Sequence, residues 1–140
     1  MERAAFDDYI RRFNAKDFAT FDDYYEPDAR MLNGTLELLG VPAVREHYTL
    51  VWSQFTEELS IDRVVMDEDT IAIKMWAHFT ALADNPSSLF GPAQKGENFD
   101  FRGLIMYWVR DGRFTNIEVA YNTFSFTDLA GKVTQLGIPH

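Results

Sequence analysis

Residues 97–126 read ENFDFRGLIMYWVRDGRFTNIEVAYNTFSF, and this stretch decides the fold. Two runs rich in β-branched and aromatic residues, Glu97 to Arg110 and Phe114 to Phe126, flank Asp111-Gly112, the kind of dipeptide that closes a tight β-hairpin. Upstream, Ile61 to Met66 and Thr70 to Leu82 read as two more strands turned by Asp67-Glu68-Asp69. Four strands in succession, three of them long, make an antiparallel meander.

The period changes before residue 56. Phe6, Tyr9, Ile10 and Phe13 recur at helical spacing, and after a break at residues 14–17 the pattern resumes with Phe18, Phe21, Tyr24 and Tyr25. Two helices are expected, the second ended by Pro27. Arg30 to Leu39 has the length of a hairpin turned at Asn33-Gly34, and Gly40 closes it. Pro42 suits a first helical turn, and Val44, His47, Tyr48, Val51, Trp52 and Phe55 then follow at i, i+3, i+4, i+7, i+8 and i+11, a third amphipathic helix. Asp84 to Gly96, with Asn85-Pro86-Ser87-Ser88 and Gly91-Pro92, reads as one loop. Thr127 to Leu136 reads as a short closing helix ended by Gly137, with Pro139 beyond. Helices first and strands afterwards imply an α+β fold: a cone-shaped curved antiparallel or mixed sheet with three N-terminal helices packed on its concave face, in one domain spanning 1–140.

Composition excludes several function classes. The net charge of −9 disfavours nucleic acid, whose phosphates need a basic surface. The acidic pairs Asp7-Asp8, Asp22-Asp23 and Glu57-Glu58 and the triplet at 67–69 read as solvated faces. No apolar run is long enough to cross a membrane, and Met1 is followed by Glu2-Arg3 rather than an apolar leader, so a cytoplasmic protein is expected. Without cysteine there are no disulfides, thiolate metal sites or cysteine nucleophiles. His47, His78 and His140 are scattered, so no metal site is expected, and no glycine-rich phosphate loop or serine elbow calls for a cofactor.

The element order, with the phrases Tyr24-Tyr25-Glu26-Pro27-Asp28-Ala29-Arg30, Gly40-Val41-Pro42-Ala43-Val44-Arg45-Glu46-His47-Tyr48 and Val109-Arg110-Asp111-Gly112-Arg113-Phe114, resembles the nuclear transport factor 2-like superfamily and within it the SnoaL-like polyketide-cyclase group. The resemblance implies an internal pocket for a small organic molecule. It also places Ile71, Ile73, Met75, Ala77 and Phe79 on the concave face, with Asp100, Arg102, Leu104, Met106 and Trp108 on the next strand and Ile117, Val119 and Tyr121 on the last. Lys74, Trp76, His78, Asn116 and Glu118 then face outward.

The groups that carry chemistry in such relatives are replaced here. The hairpin carboxylate of ketosteroid isomerases is matched by Asn33, the last-strand aspartate of the cyclases by Val119, and the arginine and aspartate of the epoxide hydrolases by Met75 and Ala77. That leaves Asp100 and Arg102, two apart on one strand, either as a base held ionised by its cation or as a structural ion pair. His47 and Tyr121 complete the candidate catalytic set, as a proton shuttle and a hydroxyl donor, each with a packing role as the alternative. Asn33, Tyr25, Tyr48, Trp52, Met75, Leu104, Trp108 and Val119 are the candidate ligand-binding residues.

The expected function is cofactor-free isomerisation, cyclisation or dehydration of a hydrophobic polyketide- or terpenoid-like substrate by acid–base catalysis. A non-catalytic binding protein of the same fold is the alternative, as is an interaction module using the outward residues Trp76, Phe101, Tyr107 and Phe124. Apolar residues on the outward sheet face lead to the expectation of a homodimer.

Overall fold

The computed structural model describes residues 1–137, which places Pro139 and His140 outside the described residues. The order is α1 (Arg3–Asn14), α2 (Ala19–Tyr24), β1 (Tyr25–Asn33), β2 (Leu36–Leu39), α3 (Val41–Gln54), β3 (Phe55–Met66), β4 (Thr70–Ala81), β5 (Asn85–Ser88), β6 (Gly91–Ala93), β7 (Asn98–Arg110), β8 (Arg113–Thr127) and β9 (Val133–Gln135). The main sheet runs β2-β1-β8-β7-β4-β3 and is mixed: β1 lies parallel to β8, and the other neighbours are antiparallel. The antiparallel β9 pairs with residues 125–127 of β8, beyond the part that β1 covers.

The three helices bury one apolar face each. Phe6, Tyr9 and Phe13 come from α1, Thr20 and Phe21 from α2, and Val41, Val44, Tyr48 and Val51 from α3. Against them stand Ile71, Ile73, Met75, Ala77 and Phe79 of β4, the alternation expected of that strand. Gly40 enters α3 at φ +84°, and a Cβ there would sit 3.2 Å from the carbonyl oxygen of Pro27, so this junction needs glycine.

Several expectations give way. The second helix stops at Tyr24, and Pro27 lies inside β1, where the pairing with β8 shifts register between Tyr25 and Arg30 and no ladder hydrogen bond is demanded of it. The third helix stops at Gln54, and β3 begins at Phe55, six residues earlier than the period-two run implies. Residues 84–96 contain the hairpin β5–β6. The closing helix is replaced by a turn and β9: the Asp128 carboxylate accepts from the backbone N–H of Ala130 and Lys132, each at 2.9 Å, and Leu136 N–H donates to the Phe124 carbonyl.

The consequential correction is the register of β7. Phe99, Phe101, Gly103, Ile105, Tyr107 and Val109 face the helices, so Asp100, Arg102, Leu104, Met106 and Trp108 lie on the outer face. Residues 103–109 are apolar on both parities, and alternation alone does not choose between them. Phe101 and Tyr107 are therefore not outward surface. Neither is Phe124, because β8 carries two bulges against β7, at Thr115 and Asn122. Each bulge switches parity, so Phe114, then Ile117, Val119 and Tyr121, then Phe124 all turn inward.

The second bulge depends on Gly103, where a Cβ would overlap the Ala120 carbonyl and the Tyr121 backbone. Gly103→Ala is expected to destabilise the fold by about 1–3 kcal/mol or more, read as a lowered thermal midpoint. An unchanged midpoint would show that the bulge yields without strain.

Candidate functional site

Between α1, α3 and the concave face lies a partly open cavity of about 330 Å³. The helices contribute Tyr9, Phe13, His47, Tyr48 and Val51, the β1–β2 hairpin contributes Met31, Asn33 and Leu36, and β4 contributes Met75, Ala77 and Phe79. From β7 and β8 come Phe101, Ile105, Tyr107, Ile117, Val119, Tyr121 and Phe124, while Leu89 and Phe90 reach in from the β5–β6 turn. Phe90 is held there by rings of Phe55 and Phe79, both 4.8 Å away between centroids.

Among the described residues one carboxylate enters this apolar chamber, and it is Glu57. Phe55, Glu57 and Leu59 share the inward parity of β3, so the side chain is buried at 8% exposure rather than solvated as its acidic neighbour Glu58 suggests. Its Oε1 accepts from the Trp52 indole N–H at 3.0 Å, and among the described residues Oε2 has no protein donor. Burial pushes the carboxyl up to about 7, with the Trp52 hydrogen bond and the Lys16 charge opposing that rise.

The corner between α1 and α2 fixes this part of β3. The Asn14 amide donates to the Leu59 carbonyl at 2.9 Å, and its oxygen accepts from Leu59 N–H at 2.8 Å. The Lys16 ammonium donates to the backbone carbonyls of Glu57 and Asn14 and lies 5.5 Å from the Trp52 ring centroid. Lys16 thus steadies the strand through its backbone and does not line the cavity. Among the described residues no lysine or arginine does.

Tyr9, Tyr48 and Tyr107 line the chamber, and burial raises all three phenols well above their ordinary range, so they remain protonated donors. Tyr9 and Tyr25 share a hydrogen bond at 2.9 Å, with Tyr25 behind the cavity wall. Burial lowers the pKa of His47, which favours a neutral ring against Tyr48. The Asn33 amide lines the hairpin side, its Oδ1 buried without a partner.

The candidate residues named from sequence therefore divide. His47, Tyr121, Asn33, Tyr48, Met75 and Val119 line the cavity. Tyr25 and Trp52 stand behind it, bonded to Tyr9 and Glu57. Asp100, Arg102, Leu104 and Trp108 lie outside it, on the opposite face of the sheet. There Asp100 accepts from Trp76 at 2.7 Å and shares a 2.6 Å hydrogen bond with His78, while the Arg102 guanidinium stacks over the Trp76 ring at 4.2 Å. Asp100 is tied to Trp76 and His78 and faces no substrate space. Glu57 is the cavity residue that sequence reasoning missed, and the signal for it was an acid in the same parity as Phe55 and Leu59.

A larger, more open groove of about 1160 Å³ runs outside α3 and includes Arg45, Glu46, Leu50 and Arg113, with His47 shared between the two spaces. It contains no carboxylate as buried as Glu57. Among the described residues no group of three or more His, Asp or Glu could hold a metal ion, and no helix is long and apolar enough to cross a membrane.

Three helices closing a curved mixed sheet over a cavity make up the nuclear transport factor 2-like fold. The SnoaL-like domain model matches residues 6–117, and the chain belongs to that family. Its fold is similar to that of a protein named as a polyketide cyclase from Silicibacter sp. TM1040 at 20% identity and a TM-score of 0.72, over 85% of this chain and 87% of that one. A protein from Xanthomonas campestris pv. campestris named in the same way superposes with a TM-score of 0.70 at 17% identity, covering 84% and 88%. An LEH-like epoxide hydrolase from M. tuberculosis gives 0.67 at 17% identity, covering 84% and 80%. No curated protein matches the chain by sequence.

Glu57 makes stability depend on pH in a stated direction. Unfolded, the carboxyl titrates near 4.5; folded, it holds its proton up to about 7. Stability from this group is complete below the lower value and is lost as pH rises through the higher one, by on the order of a few kcal/mol. Glu57→Gln, which keeps an acceptor for Trp52, is expected to melt higher than wild type at pH 8, with the gain fading toward pH 4. Thermal melts across that range check it, and a variant that melts lower than wild type at pH 8 would contradict the buried-acid assignment.

Proposed function

We propose that this protein is an enzyme that moves a proton on a small, mostly apolar substrate, with Glu57 as the group that takes or returns it. The observation that carries this reading is the carboxyl of Glu57, buried in the cavity and titrating near neutrality, where proton transfer in both directions is feasible. The aromatic walls would hold an apolar body by burial and edge-to-face contact. Tyr107 and Tyr48 supply neutral hydroxyl donors, and the Asn33 amide supplies a further polar handle. Isomerisation, cyclisation or dehydration of a polyketide- or terpenoid-like molecule fits this set, since each needs one positioned acid–base group and exclusion of water. The names polyketide cyclase and epoxide hydrolase on proteins of similar fold support an enzyme of this general type. A binding protein without catalysis uses the same cavity and is the alternative.

A neutral, flat probe separates the two. In 5-nitrobenzisoxazole a carboxylate removes the ring C–H proton while the N–O bond breaks, giving a coloured cyano-nitrophenolate. Turnover is expected to rise with pH through about 7 and then level, because the ionised carboxylate is the active form. Glu57→Gln should lower the rate by roughly 10²–10⁴-fold, while Glu118→Gln on the outer face leaves it near wild type. A rate insensitive to Glu57→Gln would favour the binding protein.

We also propose a homodimer through the outer sheet face, where Leu104 is 59% and Met106 40% exposed beside Trp76 and Trp108. Light scattering at micromolar concentration should give twice the chain mass, and a monomer mass would remove the proposal.

A further inference from the structure

The cavity's charge pattern bears on which molecules it accepts. Among the described residues Glu57 is its one carboxylate, more than nine-tenths buried, and only one of its two oxygens has a protein donor. No lysine or arginine lines the space, and the nearest ammonium, on Lys16, is committed to the Glu57 and Asn14 backbone carbonyls. The same cavity is walled by the rings of Tyr9, Phe13, Tyr48, Phe101 and Tyr107, of which Tyr48 and Tyr107 lie close enough to feel the Glu57 charge. An acid with no ion pair in the cavity, whose nearest cation, Lys16, acts only at a distance, is complementary to positive charge and unsuited to a carboxylate or phosphate when walled by aromatic rings.

We propose that the ligand of this cavity carries a positively charged nitrogen, seated against Glu57 and the surrounding rings. This rests on the cavity being the binding site, as the proton-transfer reading has it, and it adds the sign of the ligand's charge. The cation supplies the partner that Glu57 lacks, and the rings supply attraction to its onium face without hydrogen bonds. The chain's net charge of −9 favours the approach of a cation.

Binding and proton release are then linked. A permanent cation favours the ionised carboxylate, so its affinity rises with pH through the range in which Glu57 titrates. The other groups facing this region are Tyr9 of α1, Tyr25 of β1, His47 and Tyr48 of α3, Tyr107 of β7 and Lys16 at the α1–α2 corner. The four tyrosines stay protonated near neutrality, and His47 remains in a Glu57→Gln variant, which reports its share separately.

The test uses three probes of one shape: choline, its uncharged carbon analogue 3,3-dimethyl-1-butanol, and the anion 3,3-dimethylbutanoate, titrated into the full chain and followed by protein NMR. At pH 8 choline should bind at least about ten-fold tighter than the alcohol, with the butanoate weakest. The preference should shrink at pH 5.5 and vanish in Glu57→Gln, while that variant still binds the alcohol. Equal binding of choline and the alcohol by wild type at pH 8, or tighter binding of the butanoate, overturns the proposal and leaves the proton-transfer reading standing. Cavity resonances that respond to none of the three overturn both.

Discussion

A sheet can cover a cavity only if its long strands bend, and here the bending is done where β8 carries one residue more than β7. The bulges at Thr115 and Asn122 raise the local twist and reset the parity of β8 twice. The reset lets Phe114, Ile117, Val119, Tyr121 and Phe124 all face the helices, which an unbroken alternation would forbid. Gly103 makes the second bulge possible, because β7 and β8 approach there more closely than any side chain allows. Cavity walls, ring contacts and the outer face all inherit this geometry.

The chamber that results is lined by aromatic rings, and this sets its electrostatics. A carboxyl in such surroundings loses most of its hydration, and one indole N–H together with a backbone-bound ammonium restores only part of it. Its proton affinity therefore rises into the neutral range. The clamp of Asn14 and Lys16 on β3 holds the strand carrying Glu57 to the end of α1, so the acid is fixed by the backbone as well as by Trp52. Arrangements of this kind trade stability at high pH for a group poised between its two charge states.

The outer face answers to different physics. Trp76, His78, Asp100 and Arg102 sit across β4 and β7 in a network of hydrogen bonds and ring stacking, next to exposed Leu104 and Met106. Such a surface mixes polar specificity with apolar area, the composition of a contact face more than of an enclosed site.

The amino-acid sequence by itself determined the class of fold and most of its elements. The helical spacing of Phe6, Tyr9 and Phe13 and of Val44, Tyr48 and Val51 required packed helices, and alternation split β4 into two sets, of which the family resemblance indicated the inward one. Six of the candidate residues, among them His47, Asn33 and Tyr121, line the cavity, and Asn33 and Tyr121 were named from the family resemblance rather than from periodicity. What only the tertiary structure decided was the parity of β7 and the placement of Glu57. In β7 both faces are apolar over residues 103–109, so the face turned to the core was settled by pairing with β4 and by the bulges in β8. For Glu57, an acidic pair at a helix end looks solvated until the chain is seen to pass directly from α3 into β3 at Phe55. That junction turns position 57 toward the helices, and burial in a chamber between layers is a property of the assembled fold that no local pattern contains.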